Sequence, residues 1–125
     1  MLVSSKFELI ELDNFTKKLD KKLKISTKDK EKLSKRIAEL EDNPYHGTRL
    51  KDLILISGIK IAGLRHEKYG VANYKGGLAV LYRICEECLA YKYYDKGSGK
   101  KCALCDEEKP KRVFLFDIRP RGEDY

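Results

Sequence analysis

Two stretches decide the fold: Gly76-Gly77-Leu78-Ala79-Val80-Leu81-Tyr82-Arg83-Ile84 and Arg112-Val113-Phe114-Leu115-Phe116-Asp117-Ile118-Arg119. Both are short, rich in β-branched and aromatic residues, and bounded by turn formers or charge, which is the signature of strands. The glycine pair opens the earlier one. In the later one, strict alternation places Phe114, Phe116 and Ile118 on one face. Upstream, Gly58 to Arg65 reads as another strand with a possible bulge at Gly63. At the start of the chain, Lys6 to Glu11 alternates, with Phe7 and Leu9 facing opposite to Ile10.

Between the first strand and the other three the period changes to that of a helix. Asp13 reads as an N-cap, followed by Phe15, Leu19 and Leu23 at i, i+4 and i+8. Ser26 or Thr27 caps a second helix with the stripe Leu33, Ile37 and Leu40, and Asn43-Pro44 ends it. Strand, two helices, then three strands predicts an α+β fold, with both helices covering one face of a small antiparallel sheet. The opposite face is expected to be more polar, so that Lys60, Arg83 and Arg119 share an open surface near the strand ends.

The chain has 125 residues, 42% of them hydrophobic, which suits one domain over 1–125 with a real core. No apolar run approaches the ~18 residues of a membrane helix. Met1 to Glu8 carries no apolar leader core, so a cytoplasmic location without membrane contact is expected. The formal net charge is +7, and residues 48–84 hold much of that excess. This balance is compatible with a polyanionic partner and equally with an ordinary solvated surface.

Four cysteines form two Cys-x-x-Cys pairs, Cys85/Cys88 and Cys102/Cys105. Each pair can present two thiolates to one ion, and two pairs complete the tetrahedron that zinc prefers. Residues 85–105 are therefore read as a zinc knuckle inserted between the last two strands, with disulfides, free thiols and an iron–sulfur cluster as the alternatives the spacing leaves open. Four thiolates leave no open position for water, so the Zn2+ is expected to be structural. Reduced thiols also fit the cytoplasm.

The end of the chain, Phe114 to Tyr125, runs from a hydrophobic strand into Arg119-Pro120-Arg121-Gly122-Glu123-Asp124-Tyr125. This Arg-x-Arg-x-x-x-Tyr ending resembles that of the RelE/ParE toxin superfamily. Asp42-Asn43-Pro44, Arg49 to Leu53, Gly58-Ile59-Lys60-Ile61 and Leu78 to Arg83 resemble family segments in the same order. The resemblance implies two helices on a small sheet. It also implies a toxin of a type II toxin–antitoxin system, neutralised by a cognate antitoxin. In the RelE branch such a toxin is a ribosome-dependent endonuclease, with ribosome and mRNA as partners, and in the ParE branch it is a DNA gyrase poison. Lys60, Arg119, Arg121 and Tyr125 match family site positions. Ala79 and Ala62 stand where the family carries an arginine and a lysine, with Arg65 and Arg83 nearby as substitutes.

In such a nuclease the RNA 2′-OH attacks the adjacent phosphodiester. Arg119 and Arg121 would stabilise charge on the phosphate, because a guanidinium stays protonated and binds phosphate through two bonds. Tyr125 would stack on a base or move a proton. Lys60 would assist if desolvated, and His66 is the titrating side chain nearest the basic segment, hence a candidate general base. Two other classes remain open from the sequence: a non-catalytic relative such as a gyrase poison, and a zinc-stabilised nucleic-acid-binding module unrelated to toxins.

Overall fold

A computed structural model describes residues 6–23, 25–51, 54–56, 58–71, 74–91 and 108–120. The fold is mixed α+β. Strand β1 (Glu8–Glu11) leads into helix α1 (Asp13–Lys17), which continues as a wider π-helical segment over Lys18–Lys22. Asp13 is the first helical residue rather than the cap; Leu12 occupies the cap position, with no side-chain hydrogen bond. Helix α2 (Thr27–Ala38) is capped as its sequence predicts, with Ser26 Oγ accepting from the Asp29 amide at 3.1 Å. Two short 3-10 turns, Glu39–Glu41 and Pro44–His46, follow it.

Strands β2 (Thr48–Arg49), β3 (Ile54–Ile56), β4 (Ile59–Ile61), β5 (Arg65–Val71) and β6 (Tyr74–Ile84) come next, then helix α3 (Cys85–Tyr91) and strand β7 (Arg112–Pro120). The main sheet has the order β1-β7-β6-β5-β2, with β6 and β7 near its centre. It is not wholly antiparallel, because β1 pairs parallel to β7. The expected strand from Gly58 to Arg65 is two elements. Its first half, β4, pairs with β3 in a separate hairpin. The chain then turns at Gly63, whose φ of 73° suits glycine, and enters the sheet only at Arg65.

Each face of the sheet carries its own core. On the helical side Phe15, Leu33, Ile37 and Leu40 pack on Tyr69, Leu78, Val80, Tyr82, Val113, Leu115 and Ile118. On the other side the β3–β4 hairpin lays Ile54 and Ile56 over Leu81, Phe114 and Phe116. The expectation of a polar second face is thus overturned. Alternation cannot show that a short hairpin folds back over it. Removing one such large apolar side chain from water is worth roughly 1.5–3 kcal/mol, so both layers are needed in so small a protein.

Ile118 also leaves the face predicted for it. Leu115 pairs with Tyr82 while Asp117 pairs with Leu81, so Phe116 is an extra residue in a β-bulge. The bulge reverses the alternation: Phe114 and Phe116 lie under the hairpin, and Ile118 faces the helices. The Asn14 side-chain amide donates to the Phe116 carbonyl at 3.3 Å.

Tyr82 ties the sheet to the turn after α2. Its hydroxyl donates to the Pro44 carbonyl at 2.6 Å and accepts from the Gly47 amide at 3.1 Å. A Cβ at Gly47 would lie 2.1 Å from that hydroxyl oxygen, so glycine is required there. Tyr82→Phe leaves a buried donor and a buried acceptor unmet. It should lower unfolding free energy by about 1–3 kcal/mol in urea titration, with little change in the denaturant slope.

Candidate functional site

The residues singled out in the sequence fall in different layers. Arg119 is only 8% exposed. Its Nε donates to Asp117 Oδ2 at 2.5 Å, and its Nη2 donates to the Leu55 carbonyl at 2.6 Å. Arg83, at 6% exposed, directs Nε and Nη2 to the Ala62 carbonyl, and its guanidinium lies 5.5 Å from the Phe116 ring centroid. Neither forms part of an open surface. Both clamp the backbone of the β3–β4 layer to the sheet, a use of the guanidinium fork that alternation does not reveal.

Lys60 is exposed on β4, in register with Leu55, which is itself exposed. Ile54 and Ile56 point down into the core, so Leu55 points away from it. Lys60 therefore lies on the outer surface of the hairpin while Arg119 is held beneath it. The expected shared surface for Lys60, Arg83 and Arg119 does not form. Arg65 is on the helical side of the sheet. It makes a two-point pair with Glu87, at 3.1 and 2.6 Å, and donates to the Gly47 and Tyr45 carbonyls. The Glu87 pairing raises its already high pKa, fixing its charge. His66, one residue on, pairs with Leu81 in the ladder and belongs to the opposite face. Arg121 and Tyr125 lie outside the described residues.

Cys85 and Cys88 are fully buried on α3, not in the tight turn expected of a knuckle. A spacing of three in a helix places both on one side, one turn apart, which suits two ligands of one ion. Cys102 and Cys105 lie outside the described residues. Among the described residues no group of three or more histidine, cysteine or acidic side chains is placed to hold a metal ion.

A different cluster is brought together by the turn that Tyr82 holds. His46 stands on that turn with its side chain 72% exposed, and its Nδ1 is 3.0 Å from Glu67 Oε2. Glu67 follows Arg65 by two positions on β5, so the same alternation that sends Arg65 to Gly47 sends Glu67 to His46. The pair borders a cleft of about 180 Å3 that is also lined by Arg36, Glu39 and Leu40 from the end of the helical segment and by Asn43 and Tyr69. The Arg36 guanidinium carbon lies 5.1 Å from the Tyr69 ring centroid. Burial, then the nearby Glu67 carboxylate, pushes the Tyr69 phenol well above its ordinary range, so it stays protonated. Sequence reading passed over His46 because its partner is 21 residues away and the turn gives no periodic signal.

No protein-family model matches the chain, and neither the curated proteins nor the solved structures give a match. Among the described residues, no helix is long and apolar enough to cross a membrane.

The Asp117 carboxylate is 1% exposed and is filled by Arg119, by Lys18 Nζ at 2.8 Å, by Asn14 Nδ2 at 2.8 Å and by the Ile118 amide at 2.9 Å. Asp117→Ala strands a buried guanidinium and should cost about 3–5 kcal/mol in denaturant unfolding. A loss under 1 kcal/mol would contradict a structural role for Arg119.

Proposed function

We propose that the chain is a RelE-like toxin that cuts mRNA on the ribosome, held inactive by a cognate antitoxin in the cytoplasm. The observation that carries this reading is the placement of the segments that resemble the family. Leu78 to Arg83 and Phe114 to Arg119 lie in the central strands β6 and β7, and the helix pair inserted after β1 packs on the same sheet. The excess of basic charge is compatible with an RNA partner.

A non-catalytic relative, such as a gyrase poison, is the second reading. It is favoured by Arg83 and Arg119, whose guanidinium groups are already engaged with Ala62, Asp117 and Leu55. A nucleic-acid-binding module unrelated to toxins would need the same basic surplus and no cleavage. Induced expression in a bacterial host separates the three. The leading reading expects growth arrest, transcripts cut within coding regions and unaffected gyrase supercoiling. Arrest with intact transcripts and inhibited supercoiling would favour the second, and a harmless protein with salt-sensitive RNA affinity the third.

Zinc forms part of the proposal. Cys85 and Cys88 supply one adjacent pair of thiolates, and Cys102 with Cys105 would supply the other. Bound zinc would brace the connection between β6 and β7. Arg65 and Glu87 would join that brace to the turn at Gly47. Native mass spectrometry should show about one zinc per chain. Cys88→Ser should lose it and lower the melting temperature; two disulfides without metal would overturn the assignment.

A further inference from the structure

We infer that the catalytic centre of the proposed RNA cleavage is the cleft between α2 and β5, with His46 as general base. The inference rests on the reading of the chain as an endoribonuclease and names where the chemistry happens. The geometry carries it. His46 is well exposed, yet its ring is oriented, because Nδ1 lies 3.0 Å from Glu67 Oε2. A carboxylate accepts, so the neutral tautomer that fits this contact carries its proton on Nδ1 and leaves Nε2 as the acceptor. The turn beneath is held by Tyr82 and Arg65, so the ring stands on a fixed support. Arg36, exposed on the facing helix, adds a permanent cation beside the same cleft.

The step balances without any cofactor. His46 Nε2 takes the proton from the RNA 2′-OH as O2′ bonds to the adjacent phosphorus. The P–O5′ bond breaks, and O5′ takes a proton from water. The imidazolium returns its proton to the hydroxide left behind. The products end in a 2′,3′-cyclic phosphate and a 5′-hydroxyl. Glu67 stabilises the imidazolium that forms, and Arg36 takes the charge that builds on the phosphate oxygens. Glu39 in the lining opposes phosphate entry, so it acts against binding rather than for it.

The test uses the purified full chain with mRNA-programmed ribosomes. Wild type should cut and leave 2′,3′-cyclic phosphate ends, and a 2′-deoxy nucleotide at the cut should block it. His46→Ala should slow cleavage by roughly 10²-fold or more, and added imidazole should restore much of it. Glu67→Gln should slow it less, and Glu39→Gln should lower KM. If wild type cuts and His46→Ala cuts equally fast, the cleft is not the centre while the toxin reading stands. Loss without imidazole rescue overturns the base role. If wild type cuts no RNA, the toxin reading itself fails and takes this centre with it.

Discussion

The Asp117 carboxylate is the point on which the layers of this protein converge. It is nearly inaccessible to water, and an uncompensated charge there would cost several kcal/mol. Its oxygens are filled from two directions. Asn14 and Lys18 reach it from the helical layer, and Arg119 reaches it while also holding the Leu55 carbonyl of the hairpin layer. Removing the carboxylate would release both connections together. The bulge at Phe116 sits beside it and receives the Asn14 amide, so the irregular residue and the buried charge form one construction.

That construction changes what the arginines are for. A guanidinium buried against backbone carbonyls is a cross-link: its planar fork satisfies an acceptor that the sheet ladder does not reach. Arg119 and Arg83 do this for the β3–β4 hairpin, and Arg65 does it for the turn at residues 45–47. Three arginines that the sequence offers as site candidates are thereby committed to holding chain segments in place. Arg36, exposed on α2, lines the cleft beside the oriented histidine.

The turn at residues 44–47 links these layers to chemistry. Tyr82, from the middle of the sheet, closes it with two hydrogen bonds, and Arg65 takes its carbonyls while pairing with Glu87 of α3. A proposed zinc site at the start of α3 would thus be mechanically continuous with the support of His46. The segments that carry resemblance to a toxin family supply the frame, and the cleft on the helical side is bordered by the His46–Glu67 pair.

Local pattern in the chain alone determined the helix pair, a cap at Ser26 or Thr27, strands β6 and β7, and the Cys-x-x-Cys spacing. These are local patterns, readable because side-chain direction follows backbone period. Tertiary structure decided the rest. A single bulged residue reversed the faces of β7, a short hairpin turned an expected polar face into a second core, and a parallel edge strand entered the sheet. The acceptors through which Arg83 and Arg119 hold the hairpin layer are backbone carbonyls, which every residue carries and no sequence pattern marks. His46 and Glu67 meet only because a turn and a strand far apart in the chain are fixed to the same tyrosine-anchored corner, and contacts of that kind exist only once the layers are packed.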